Sequence, residues 1–321
     1  MDAILSYFAT LATLNPSQLA SAMPGAISQG LIWGIMAIGV YITYKILDFA
    51  DLTVDGSICT GAAVCTMCLI NGHSMLASMI AAFLAGGVAG LATGLFHTWM
   101  GIPPILSGIL TQLGLYSINL AIMGKANQSI NANNADLLVS LGNVKSTNIL
   151  ENPVFIVAVF CLVTVMALYW FFGTELGASL RATGANPNMS RAQGINTNVT
   201  KVLALMLSNG LVAISGALLA QYQGFADVNM GRGAIVIGLA AVIIGGALFG
   251  KIFNNFGLRL LGVVLGSIIY YAVLQFVLWM KLDPNHLKLL SALVVAVFLA
   301  VPYWQSQYAQ KRVGKGGGAN A

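Results

Sequence analysis

Apolar residues run in long blocks along this chain, broken by short polar or glycine-rich stretches. A helix that crosses a bilayer takes about 20 apolar residues, and somewhat fewer where it is embedded in protein. By that measure the runs at 24–45, 57–70, 75–98, 103–123, 153–172, 202–221, 234–249, 258–280 and 287–303 predict nine spans, of which 57–70 and 234–249 are short. The apolar stretch 3–14 is too short to cross, and suits an interfacial segment or a half-helix.

Composition gives the same reading. Lys and Arg number 14 and Asp and Glu 9, so charged residues are 7% of the 321, where a soluble domain carries roughly 25%. Apolar residues make up 58%, beside 36 glycines, and the mean hydropathy is +0.85. Too little charge is left to make a hydrated skin. That excludes a soluble enzyme and a disordered chain, and predicts an all-α polytopic membrane protein forming a single transmembrane domain over 1–321. The net charge of +5 brings no nucleic-acid partner with it, because the cations are scattered between apolar runs rather than gathered in a stripe.

Those cations orient the spans, since Lys and Arg are retained on the cytoplasmic side. The tail 304–321 carries Lys311, Arg312 and Lys315 with nothing acidic, which places the C-terminus in the cytoplasm. Counting back puts Lys45, the loop 173–201 and the stretch 250–259 on that side, with nine cations inside and five outside. The Asn-rich loop 124–152 falls outside and reads as a solvated surface.

The loop 173–201 is punctuated for helices. Thr174 can cap a helix that starts at Glu175 and closes at Gly184; Asn186 can cap a second that has Pro187 at its first position and Gly194 beyond its end. Two short helices between spans would make a shaped protrusion into the cytoplasm.

Phe49-Ala50-Asp51 recurs as Phe225-Ala226-Asp227, each after a long apolar run and before a short one, and Ala62-Ala63-Val64 is echoed by Ala240-Ala241-Val242. Five predicted spans separate the copies, so the second is inverted relative to the first. Inverted repeats with short, interrupted helices are how many transporters build a pathway near the midplane. The halves would be about 24–172 and 202–303. Charges within or beside membrane spans are costly and usually functional, which singles out Asp51 and Asp55, with Thr53 and Ser57 around them and Asn229 in the second copy, as a candidate substrate pathway. The other reading of this cluster is helix-end capping. Asp227 and Arg232 read as a pair on the outer surface, where a donor protein could dock.

Apparent catalytic motifs dissolve on inspection. Gly245 to Lys251 nearly spells a phosphate loop, but Ile252 stands where Ser or Thr is required. Cys65 and Cys68 have metal or redox spacing without a partner pair, and His73, His97 and His286 lie at three separate helix ends. No metal site and no enzymatic constellation is expected.

Two segments resemble a known family. Asp51-Leu-Thr-Val-Asp-Gly-Ser57 is similar to the Asp-Leu-Ser-Val-Gly-Ser stretch of the branched-chain amino acid and ribose permeases, the membrane subunits of bacterial ABC importers. Gly177-Ala-Ser-Leu-Arg-Ala-Thr-Gly-Ala-Asn186, running into Met189-Ser-Arg-Ala-Gln-Gly-Ile195, resembles that family's cytoplasmic signature. The extra Asp55 departs from the sugar-permease pattern and resembles the branch paired with amino-acid-binding lipoproteins. The resemblance implies a bacterial inner-membrane permease for an amino acid, branched-chain or aromatic, working by alternating access. Its partners would be a second permease (a homodimer), two ATP-binding cassette subunits and an extracytoplasmic solute-binding lipoprotein. The chain itself would be no enzyme and hold no cofactor, with ATP and Mg on the partner ATPase. The family's coupling helices would place Glu175, Arg181, Asn186 and Arg191 against that ATPase. The competing expectation is an ion- or proton-coupled secondary transporter or channel using Asp51 and Asp55 as ligands.

Overall fold

The computed structural model describes residues 15–130, 137–145, 151–250 and 252–280, together with 289, 292, 293, 295–297 and 300. Ten helices can be traced through them. They are α1 (Pro16–Tyr41, prolonged by a π turn over Ile42–Ile46), α2 (Val54–Ile70), α3 (Met75–Thr98), α4 (Pro104–Met123), α5 (Pro153–Gly173), α6 (Glu175–Ala185), α7 (Pro187–Ala192), α8 (Thr197–Gln223), α9 (Ala234–Phe249) and α10 (Phe256–Trp279). Two three-residue strands, β1 (Asn127–Ser129) and β2 (Phe225–Asp227), pair antiparallel, with Asn127 opposite Asp227.

Among the described residues, six helices are long and apolar enough to cross a membrane alone, while α2 and α9 are shorter. Eight of the nine expected spans therefore coincide with helices; the ninth, 287–303, and the stretch 3–14 lie largely or wholly outside the described residues. The first helix begins at Pro16 rather than at 24. The Asn15 side chain accepts from the Ser17 N–H, and Pro16 at the first position needs no donor partner, so cap and proline together make the stronger start.

The helices face lipid with large apolar side chains and each other with small ones. On α3, Leu76, Ile80, Leu84 and Val88 are exposed at four-residue spacing, whereas Ser78, Ala82, Gly86, Gly90 and Thr93 are buried. Lipid tails give no hydrophobic drive for helices to associate, so close backbone approach and interhelical hydrogen bonds hold them. Where α2 crosses α8, a side chain at Gly61 would strike the Ala213 backbone and one at Gly216 would strike that of Ile58. Buried hydroxyls tie neighbours to α1: Ser208 and Ser215 of α8 donate to the carbonyls of Gly39 and Ile32, both at 2.7 Å, and Ser267 of α10 donates to that of Gly30 at 2.8 Å.

α1 and α8 form the centre. Each is buried along most of its length, and they pack on one another. The remaining packing is reciprocal: α2 and α3, which follow α1 in the chain, lie against α8, while α9 and α10, which follow α8, lie against α1.

The stretch after α4 is less open than its Asn-rich composition suggests. Ile130 and Val139 are buried in the core, and the Leu138 N–H donates to the Gln221 side chain at 3.0 Å. Apolar residues spaced between the asparagines anchor this segment to the end of α8.

Candidate functional site

The helical path of α1 ends in a π turn. Asp48 then takes a left-handed conformation (φ 55°), which Asp tolerates better than most residues, and the chain turns back into the bundle. Asp51, which is 2% exposed, closes an Asx turn: its Oδ1 accepts from the Thr53 N–H at 2.9 Å. Its Oδ2 accepts from the Asn209 amide of α8 at 2.7 Å, and the Asn209 Oδ1 accepts in turn from the Ser57 hydroxyl at 2.6 Å. The Thr53 hydroxyl donates to that of Thr93 of α3 at 2.6 Å, and Thr93 donates to Thr111 of α4 at 2.8 Å. Asp51, Thr53 and Ser57 thus lie in one buried ladder joining the start of α2 to α3, α4 and α8. Their polar atoms are spent on protein partners.

Asp55 is set differently. It stands in the first turn of α2, half-buried, and its two carboxylate oxygens accept the N–H groups of Gly233 and Ile235, each at 2.9 Å. One short helix therefore caps the other, N-terminus against N-terminus, and the carboxylate meets the positive dipole end of α9. The Cys59 thiol donates to the Val228 carbonyl and its sulfur accepts from the Gly231 N–H, both at 3.2 Å, which holds the turn 228–233 along α2. This junction lies inside the bundle. Gly56 sits against Gln112 and Leu115 of α4, and Gln112 is eight residues past Pro104, about 12 Å along the helix.

Beside the junction is a cavity of about 300 Å³, lined among others by Asp55, Gln112, Tyr116, Asn119 and Arg232. Asn229 is exposed on the neighbouring turn. Arg232 belongs to this cavity and not to an outer ion pair with Asp227. The Asp227 carboxylate instead accepts from its own Asx turn at the Asn229 N–H (2.7 Å) and from the Asn127 amide across the strand pair (3.3 Å). The two aspartates of the sequence echo thus make the same pair of bonds, one from the N–H two residues on and one from an asparagine amide.

At the opposite end, Thr174 and Asn186 cap α6 and α7 as their side chains suggest. Thr174 Oγ1 accepts from the Gly177 N–H at 3.4 Å, and Asn186 Oδ1 accepts from Asn188 and Met189 at 3.1 and 3.0 Å. Gly184 does not close α6, which runs on to Ala185; it lies where a side chain would strike the Ile46 carbonyl. Arg181 is exposed, and its guanidinium donates to the Phe172 carbonyl at 2.7 Å and lies over the Phe256 ring, while Arg191 donates to Thr197 at 2.8 Å. Glu175 is exposed, as are the apolar side chains of Leu176 (55%) and Met189 (61%). Lys45, Arg181 and Arg259 share one groove of about 520 Å³ at this end.

Residues 23–302 match the model of a family described as the branched-chain amino acid transport system permease component. The chain belongs to that permease family. It is 41% identical over 280 residues to the tyrosine transport system permease protein of Clostridioides difficile (strain R20291), covering 87% of this chain and 91% of that one. It is 29% identical over 269 residues to the autoinducer 2 import system permease protein LsrC of Yersinia pseudotuberculosis (serotype O:3, strain YPIII), covering 83% and 72%. Among solved structures, PsaBC from Streptococcus pneumoniae in complex with Fab aligns at a TM-score of 0.48 and 16% identity, over 93% of this chain and 94% of that one. The resemblance to ABC importer permeases of the branched-chain and ribose branch is borne out, and this permease is a multi-pass membrane protein.

Several residues of the permease's interior escaped the reading of its sequence: Asn209, Thr93 and Thr111 in the ladder, and Gln112 and Asn119 at the cavity. A signal existed for the asparagines, since an amide inside an apolar span is costly without a partner or a task. The threonines carried none, because a hydroxyl within a helix can satisfy itself on the carbonyl four residues back.

Proposed function

We propose that this chain is the permease subunit of an ATP-driven importer, which passes a small polar solute, a branched-chain or aromatic amino acid, from an external binding protein to the cytoplasm by alternating access. The observation that carries the reading is the meeting of two short helices, N-terminus to N-terminus, at Asp55 inside the bundle and beside a cavity. Half-helices that start within the membrane are the usual frame of a transport path. The matching Asx turns of Asp51 and Asp227 and the reciprocal packing about α1 and α8 support two inverted halves.

In this reading Asp55 and Asn229 face the solute, whereas Asp51, Thr53 and Ser57 brace the helix break. Asp227 and Asn127 sit on the outer strand pair, available to a solute-binding lipoprotein. Helices α6 and α7 meet two ATPase subunits through Glu175, Leu176, Asn186 and Met189; Arg181 and Arg191 fasten those helices to the permease's own spans. ATP and Mg act on the partner chains, a second copy of this permease completes the pathway in the inner membrane, and the C-terminus is cytoplasmic. The tyrosine transport relative favours an aromatic amino acid as the solute.

Proteoliposomes holding the permease with its ATPase and binding protein should accumulate radiolabelled L-tyrosine only with ATP present. A proton-coupled carrier is the rival reading. It is disfavoured at Asp51, which is 2% exposed and whose two oxygens already accept hydrogen bonds within the buried ladder. Proton-driven, ATP-independent uptake by this chain alone would overturn the importer.

A further inference from the structure

We propose that the cavity beside the two helix starts is a binding subsite for the zwitterionic head of a free amino acid, with Arg232 taking the carboxylate, Asp55 the ammonium group and Asn119 both. The inference rests on the permease reading and gives that path a chemical filter. Asn119 is the first support: it lines the cavity, is 0% exposed, and neither its amide nitrogen nor its amide oxygen has a partner. Buried amides are nearly always satisfied, and an amide can donate to a carboxylate while accepting from an ammonium.

The charges are the second support. Asp55 and Arg232 line the same cavity, and no ion pair joins them among the described residues. The two backbone N–H bonds occupy one acceptor position on each Asp55 oxygen, where an ionised carboxylate offers about four in all. Arg232 keeps its guanidinium donors free among the described residues. A zwitterion answers both charges together. A simple anion or cation answers one and leaves the other without a partner in the cavity. The volume of about 300 Å³ is at the small end of ligand pockets, and Tyr116 and Val228 offer apolar surface to a side chain.

The test needs only the full chain in lipid nanodiscs, with ligand-detected NMR titrations of three probes: L-tyrosine, tyramine (no carboxylate) and 3-(4-hydroxyphenyl)propionate (no ammonium). L-Tyrosine should bind about tenfold more tightly than either analogue, one charge-assisted contact being lost in each. Arg232→Met should erase the advantage over tyramine and keep that over the propionate; Asp55→Asn should do the reverse. Asn119→Leu should weaken L-tyrosine binding while the unliganded chain melts no lower than wild type. Because Asp55 also caps α9, Arg232→Met on its exposed turn is the decisive variant. Equal affinity for the three probes, no binding of any up to millimolar concentration, or an undiminished tyramine gap in Arg232→Met overturns the subsite. ATP-driven uptake without probe discrimination would sink this inference alone; discrimination without ATP-driven uptake would sink the importer alone.

Discussion

Asn209 illustrates how a single amide holds a charge inside the bundle. It donates to Asp51 at 2.7 Å and to the Leu205 carbonyl at 3.0 Å while accepting from Ser57 at 2.6 Å. Replacing it with Leu strips a buried carboxylate of a hydrogen bond, a loss of about 1.5–3 kcal/mol. Asn209→Leu should therefore lower the melting temperature in detergent, whereas Asn229→Ala, at an exposed turn, should shift stability by only about 0.5 kcal/mol. Equal melting of Asn209→Leu and wild type would show that Asp51 does not depend on this amide. The acidic cluster itself was legible in the sequence, because Asp51 and Asp55 interrupt apolar runs. Which of them braces the chain and which faces a cavity was not. Asp51 and Asp55 are four residues apart, yet the helix start between them sends one carboxylate toward α8 and the other toward α9.

At the scale of the element, capping chemistry reads directly from sequence because it is local. Thr174 and Asn186 bond to N–H groups two or three residues away, and the helices they start begin where expected. Gly184 shows the limit of that reasoning. A glycine that ends a helix and a glycine that admits a neighbouring backbone look alike in sequence, and only the approach of Ile46 separates them. Arg181 shows a further limit, since nothing in its local sequence tells that its guanidinium also ties α6 to the end of α5. A contrast between two variants follows. Gly184→Leu should push α6 from the π turn, lower the melting temperature and leave ATP hydrolysis uncoupled from uptake. Leu176→Glu with Met189→Glu, both on the exposed surface, should leave melting unchanged and abolish co-purification of the ATPase. Retention of the ATPase by that double variant would place the docking surface elsewhere on the chain.

For the whole molecule, the helices were legible in the sequence but not the depth at which α2 and α9 begin. Their apolar runs look like short full spans. In the structure their N-termini meet within the bundle at Asp55, since a side chain at Gly231 would strike the Asp55 backbone and Gly233 takes a left-handed φ of 84°. The exposed loops then sort to two ends. Lys45, Arg181 and Arg259 gather around one groove, while β1, β2 and the Leu138–Gln221 contact occupy the other end. The excess of cations is the ground on which we propose that the first end is cytoplasmic. Cysteine labelling tests this, because of the four native cysteines three are buried and Cys68 is partly so, and all can be changed to Ser. A single cysteine at Phe225 should react with an impermeant maleimide on intact cells, and one at Met189 only after permeabilisation. A cysteine at Arg232 lies between the two ends, at the depth of Asp55, so it should react from outside only when the pathway opens that way, and faster when ATP analogues trap that state. Labelling of positions 225 and 189 from the same side would break the topology, because α8 connects them and is 27 residues long, about 40 Å at 1.5 Å per residue, which is enough to separate them by a full membrane.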